Sequence, residues 1–350
     1  MLDQASALRR VARATHDAGR GAAAMHDAFG RRIEYLRISV TDKCNLRCVY
    51  CMPEAGLAWL RREELLRYEE IVAIVATLER MGLERVRLTG GEPLVRRDLP
   101  ELVRQLRRID GIRDIALSTN AVLLAELAEP LRRAGVDRVN ISLDSLRPER
   151  VDAIARRPGS YQRIMAGLDA AERVGFAPIK INTVVMRGRN DDELAAFARI
   201  TRERPWHVRF IEVMPVAGSL DISACEFVPA AEILERLRSA GALEPVAGPP
   251  GNGPATYFRF ADGPGTVGVI TPMSHNYCDR CNRMRLTADG QLRPCLFGAL
   301  QTNLRDALRA GQPLEPLIER TLAIKPERHQ LVQGSASGSG GLVALSQVGG

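Results

Sequence analysis

Only three lysines, Lys43, Lys180 and Lys325, stand among the 49 basic residues of this 350-residue chain. Arginine carries nearly all the positive charge, as the codon bias of a GC-rich genome produces. No uninterrupted apolar run approaches the roughly 20 residues that a membrane-spanning helix needs. The first 30 residues hold Asp3, Asp17 and Asp27 but no apolar signal-peptide core. These absences predict a cytoplasmic protein without a membrane partner. No Gly-x-x-x-x-Gly-Lys loop is present either, so a triphosphate would have to be held by side chains. The spaced glycines at 263–268 lead into a strand-like run instead of a helix, which predicts a hairpin turn and not a dinucleotide site.

What is present is the composition of a folded chain: 45% hydrophobic and 26% charged residues exclude disorder. A net charge of +7 suits a polyanionic partner, either nucleic acid or a phosphorylated small molecule. From about residue 33 to 213, β-rich runs at 33–40, 86–88, 115–118, 139–143, 179–185 and 208–213 alternate with amphipathic stretches at 63–81, 99–109, 124–134, 161–174 and 191–202. That alternation predicts an α/β fold with parallel strands, either doubly wound or curved into a partial barrel, with ligands at the carboxyl ends of the strands. After residue 214 a smaller appended region is expected, followed by a Gly/Ser linker at 334–341.

Seven cysteines form two groups of three with Cys225 left over. Such spacing suits metal or cluster ligation in a reducing compartment better than a disulfide framework. The first group, Cys44, Cys48 and Cys51, lacks a nearby fourth ligand, His26 being the closest upstream. Three thiolates on a cubane cluster would leave one iron open. The second group is Cys278, Cys281 and Cys295, with His275 three positions before it. Spacing alone leaves a Cys₃His zinc site and a cluster equally placed. Arg283 and Arg285 alternate just beyond, so in a strand they share one face, as an anion clamp requires.

The Cys-x-x-x-Cys-x-x-Cys group with Tyr50 before its third cysteine, followed by Gly90-Gly91-Glu92-Pro93, resembles the radical S-adenosylmethionine (SAM) enzymes. Together with the second triad, Thr41–Asn45, 210–215 and the terminal Gly349-Gly350, it is similar to the GTP 3′,8-cyclase family of molybdenum cofactor biosynthesis. The resemblance spans roughly residues 31–350. It implies a partial (β/α)6 barrel of parallel strands at 31–215, a smaller C-terminal α+β region at 216–333, a linker and tail at 334–350 and a flexible N-terminal extension at 1–30.

It also implies two [4Fe-4S] clusters with three cysteine ligands each, one binding SAM and the other facing GTP. Tyr50, Gly91, Ser142 and Met214 would contact SAM. Arg37, Arg87, Ser118, Lys180, Arg283, Met284 and Arg285 would contact GTP, and Gly349 and Gly350 would thread into the cavity. In that family a 5′-deoxyadenosyl radical takes hydrogen from ribose C3′, and the carbon radical attacks guanine C8. Implied partners are a low-potential electron donor, a second copy of the chain and cyclic pyranopterin monophosphate synthase as the next enzyme; nucleic acid is not among them. Two departures stand out: Ser118 and Ala121 occupy positions where the family usually has Thr and Gly. The competing readings are a peptide-modifying radical SAM maturase and a non-enzymatic zinc protein that binds nucleic acid.

Overall fold

Short β-branched runs bounded by turns become six strands: β1 (Tyr35–Ser39), β2 (Arg85–Thr89), β3 (Asp114–Thr119), β4 (Arg138–Ser142), β5 (Ile179–Val185) and β6 (His207–Glu212). The computed structural model describes residues 24–214, 226–250, 253–329 and 345–348. Cys225, the 334–341 linker, Gly349 and Gly350 lie outside the described residues. Helices α1 (Tyr68–Arg80), α2 (Leu99–Arg107), α3 (Leu124–Ala134), α4 (Pro148–Ala155), α5 (Ser160–Arg173) and α6 (Leu194–Glu203) make the connections. Each of β1 to β5 pairs in parallel with the strand that follows it, as helical crossovers demand.

Two helices differ from the sequence reading. The one expected from residue 63 starts at Tyr68, because the Glu70 carboxylate accepts the Arg67 backbone N–H at 2.7 Å and the Leu66 N–H goes instead to the Ala288 carbonyl at 2.8 Å. Helix α4 was not foreseen. Eight residues are too few to show periodicity, and its one local signal was Pro148 at the first helical position.

Beyond residue 225 come α7 (Ala230–Arg238), β7 (Glu244–Val246), β8 (Thr256–Arg259), β9 (Thr266–Ile270), β10 (Arg283–Leu286), β11 (Gln291–Arg293), β12 (Thr302–Asn303), α8 (Leu304–Arg309) and α9 (Glu315–Ala323). These strands do not build a sheet of their own. They extend the first sheet at both edges, giving the order β12-β11-β10-β1-β2-β3-β4-β5-β6-β9-β8-β7. Strand β9 adds in parallel to β6 and β10 in parallel to β1, covering edges that would otherwise present unpaired backbone groups. Strands β8 and β9 form the hairpin expected from the 263–268 glycines.

Period-two alternation sorts the strand residues. Leu36, Ile38, Val86, Leu88, Leu117, Ile141, Ile181 and Phe210 are fully buried in the main apolar core. Each such side chain contributes about 1.5–3 kcal/mol of transfer free energy. Their neighbours Arg37, Arg87, Ser118, Asn140, Asn182 and Arg209 line one shared cavity, to which β9 and β10 also contribute Ile270, Arg283 and Arg285. Seven strand spacings separate β10 from β9, about 34 Å across a flat sheet. Residues of both meet around one cavity because the sheet curls into a partial barrel. Among the described residues no helix is long and apolar enough to cross a membrane.

Candidate active site

The first cysteine group occupies the loop after β1, at the carboxyl edge of the parallel strands. Cys44, Cys48 and Cys51 all line the cavity and none is in a disulfide. Their loop is pinned by helix α4: the Arg47 and Val49 N–H groups donate to the carbonyls of Ala155 and Ile154, both at 3.0 Å. Arg157 adds a hydrogen bond from Nη1 to the Asn45 carbonyl at 2.7 Å. Burial, reinforced by Glu92, pushes the Cys44 thiol up to about 11, and burial beside Asp144 raises Cys48 well above the usual thiol range. Ligation to a cationic metal centre reverses that preference by stabilising the thiolate.

The glycine pair closes this loop onto β2. A Cβ on Gly90 would lie 2.4 Å from the Thr41 carbonyl oxygen, and one on Gly91 would lie 2.3 Å from that of Lys43. The close approach that requires glycine is therefore to the chain's own cysteine loop. Gly91 N–H donates to Thr41 and Glu92 N–H to Lys43, each at 2.8 Å. Glu92 is buried, and burial raises its carboxyl to about 7 although Asn120 N–H, the Thr119 hydroxyl and Leu94 N–H all donate to it.

Within the cysteine loop the Tyr50 hydroxyl donates to Asp144 Oδ2 at 2.8 Å, while Val184 N–H donates to Oδ1 at 2.9 Å. Burial lifts Asp144 to about 6. Gly91, Ser142 and Met214 line the same cavity as Tyr50.

Further along, strand register aligns Arg37 with Arg87 on one side and Arg285 on the other. Burial and the charge of Arg285 depress Arg37 well below its ordinary value, and burial beside Arg283 brings Arg285 down to about 10. Guanidiniums are forced together here at an electrostatic cost that an anion would relieve. Arg87 donates from Nη1 to the Ser118 hydroxyl at 3.2 Å and from Nε to the Tyr35 hydroxyl. Sequence reasoning passed over three residues of this wall. Asn140 Oδ1, Asn182 Oδ1 and Arg209 Nε are buried without a hydrogen-bond partner among the described residues, and all three side chains line the cavity. The available signal was a polar residue at an inward position of an otherwise apolar strand.

Two expected contacts sit elsewhere. Met284 is fully buried in the apolar core, because alternation turns it away from Arg283 and Arg285. Lys180 does not line the cavity: its Nζ donates to the Pro250 carbonyl at 2.8 Å, and burial together with Arg209 lowers it to about 6.

The second triad sits beside the far end of the cavity, which Tyr277 and Leu296, its neighbours in sequence, help to line. Burial opposes ionisation of Cys281, but Arg283 and Lys325 outweigh it and bring the thiol down to about 7. Among the described residues no three His, Cys, Asp or Glu side chains converge tightly enough to hold one metal ion. A cubane asks for something different, since each thiolate ligates its own iron and the sulfurs stand farther apart. Both sets of three cysteines are free, the first lining the cavity and the second adjoining residues that line it.

Residues 38–200 match the family description "Radical SAM superfamily" and residues 206–331 match "Molybdenum Cofactor Synthesis C". A GTP 3′,8-cyclase from Pelotomaculum thermopropionicum is 50% identical over 317 residues, covering 89% of this chain and 96% of that protein. The GTP 3′,8-cyclase of Moorella thermoacetica is 46% identical over 329 residues, 93% of this chain and 100% of the relative. Among solved structures, Streptococcus suis SuiB bound to S-adenosylmethionine shares the fold at a TM-score of 0.60 and 16% identity, covering 82% of this chain and 68% of that one.

Proposed function

The chain belongs to the GTP 3′,8-cyclase family of radical SAM proteins, and we propose how its cavity divides the work of converting GTP to (8S)-3′,8-cyclo-7,8-dihydroguanosine 5′-triphosphate. Cys44, Cys48 and Cys51 would hold a SAM-binding [4Fe-4S] cluster, and Cys278, Cys281 and Cys295 a second one facing the substrate. When bound at Cys44, Cys48 and Cys51, the first cluster would supply the electron for reductive cleavage of SAM, the source of the radical chemistry that joins ribose C3′ to C8.

The chain's own residues orient the two partners. Tyr50, Gly91, Ser142 and Met214 form the SAM wall, with Asp144 holding the Tyr50 hydroxyl. Arg37, Arg87, Arg283 and Arg285, joined by Arg209, offer forked donors to the triphosphate. Ser118, Asn140 and Asn182 add neutral hydrogen-bonding groups for the nucleoside. Lys180 reaches the phosphates by exchanging its Pro250 contact for one to GTP. The Gly349-Gly350 tail would thread into the cavity beside GTP. Holding the reacting carbons together and keeping water out is the protein's principal contribution.

The observation that carries this reading is one cavity bounded by the first cysteine triad at one end and by the arginines and the neighbours of the second triad at the other. Neither the maturase nor the zinc-protein reading matches relatives that cover nearly the whole chain. The oxygen-sensitive cysteine chemistry supports a cytoplasmic enzyme fed by a low-potential electron donor. A homodimer and transfer of product to cyclic pyranopterin monophosphate synthase complete the proposal. The test is anaerobic purification with iron, sulfide and zinc analysis, then incubation with SAM, GTP and dithionite. Mass spectrometry should find 5′-deoxyadenosine and the cyclised nucleotide together; SAM cleavage with GTP unchanged overturns the substrate assignment.

A further inference from the structure

Lys325 is only 3% exposed, and its ammonium donates to the Arg283 carbonyl at 2.9 Å, the Pro294 carbonyl at 2.5 Å and the Cys281 sulfur at 3.7 Å. An ammonium has three donors, and here all are used. Two of the acceptors belong to different cysteine-bearing segments, one around Cys281 and the other immediately before Cys295. The next two residues continue the pattern through their backbone: Arg31 donates from Nη2 to the Pro326 carbonyl at 2.7 Å and from Nη1 to that of Glu327 at 2.8 Å. The same Nη1 donates to the Cys278 carbonyl at 2.6 Å. Arg31 is held in turn by Asp27, whose fully buried carboxylate takes its Nε at 2.6 Å and its backbone N–H at 3.0 Å.

We propose that Lys325 and Arg31 form a two-cation clamp that sets the three cysteine segments of the second triad in ligating register, and that Lys325 also stabilises the reduced form of the cluster bound there. The proposal rests on the reading of Cys278, Cys281 and Cys295 as cluster ligands. Its physical basis is direct. Cys278 and Cys281 share one turn while Cys295 lies beyond the β10–β11 hairpin, and these two side chains, themselves from distant parts of the chain, tie the three positions together. A buried donor on a ligating sulfur offsets the negative charge that reduction adds, which raises the reduction potential. It also gives residues 24–32 a task, because Asp27 and Arg31 belong to a segment outside the barrel proper.

The test uses the full chain with Cys44, Cys48 and Cys51 changed to Ala, loaded anaerobically with iron and sulfide so that only the second triad reports. Cluster loss to excess chelator is followed by absorbance, and the midpoint potential by an EPR-monitored titration. Lys325→Met and Arg31→Gln should each speed cluster loss about 10–100-fold, the usual effect of removing a partner that orients a metal ligand. Lys325→Met should also move the potential to more negative values. Lys325→Arg, which keeps the charge, should restore much of that shift, whereas Arg31→Gln should change it less because Arg31 touches no sulfur. Unchanged loss rate and potential in Lys325→Met overturn the clamp. If that variant fails to fold, as judged by circular dichroism, Arg31→Gln and Lys325→Arg decide: native behaviour in both overturns it. A parent chain that binds no iron at the second triad overturns the cluster reading itself, which is a separate result.

Discussion

Arg285 Nη1 donates to the Val348 carbonyl at 3.1 Å, which anchors the last described helix, α10 (Leu345–Val348), on an arginine of the cavity. Leu345 lines the same cavity. The two glycines that follow extend at most about 7 Å further, and without Cβ atoms they can pass close to a nucleotide. Deleting Gly349 and Gly350 is expected to leave iron content and SAM binding intact while abolishing cyclisation. Product analysis by mass spectrometry checks this, and cyclic product formed at the full-length rate removes the tail from the site.

Arg285→Ala should weaken GTP binding with little effect on SAM. Removing a charge-assisted contact costs about 1.5–3 kcal/mol, or roughly one to two orders of magnitude in affinity. Arg209→Gln, on β6, should behave alike. Calorimetry measures both, and Arg285→Lys should rescue only in part because the planar fork is lost.

Replacing Cys48 with Ser should remove one four-iron cluster and all SAM cleavage. Cys281→Ser should remove the other and leave the SAM-binding cluster in place. Iron and sulfide analysis with EPR distinguishes the two cases, and stoichiometric zinc at the second triad in an anaerobic preparation would contradict the two-cluster assignment.

Lys180 offers a pH test. Its folded-state value of about 6 lies below the ordinary 10.5, so between those values the unfolded chain holds a proton that the folded chain lacks. Its contribution therefore makes stability rise with pH across that window and fall as the pH is lowered towards 6. Triphosphate beside the amine reverses the balance and favours the ammonium. At pH 8, GTP binding should take up about one proton, measured by calorimetry in buffers of different ionisation enthalpy, and affinity should weaken from pH 7 to 9. Lys180→Met should bind without this uptake; no uptake by the native chain would separate Lys180 from the phosphates.

Ala121, where the resemblance leads one to expect glycine, adopts φ +60°. A left-handed conformation costs an L-residue about 1–2 kcal/mol, and glycine gives back about 0.5–1 kcal/mol through its freer unfolded state. Ala121→Gly should therefore stabilise the chain by about 0.5–1 kcal/mol in urea denaturation. A loss of stability would mean that the buried methyl contributes more than the backbone strain costs.

The features legible in the sequence were those governed by short-range spacing. The parallel strands appeared as β-rich runs, β5 with both ends correct, because hydrophobic period and turn residues act over a few positions. Cysteine spacing within the 44–51 loop likewise pointed to thiolate chemistry without knowledge of the fold. Helix α4 escaped because eight residues around one proline carry too little pattern, yet its carbonyls hold the cysteine loop in place.

By itself, then, the sequence determined the β/α alternation, two triads of thiolates and the glycine pair at the end of β2, since each depends on residues close along the chain. Only the tertiary structure decided which side chains face the cavity. Arg209 and Asn182 came inside, Met284 was turned into the core, and Lys180 was engaged by Pro250. Tertiary packing also placed β10 and β9 on opposite flanks of the six parallel strands in one curled sheet and brought Lys325 and Arg31 to the second triad. The physical reason is that facing is set by strand register and sheet curvature, which sum over contacts between distant segments and leave no periodic trace in any one of them.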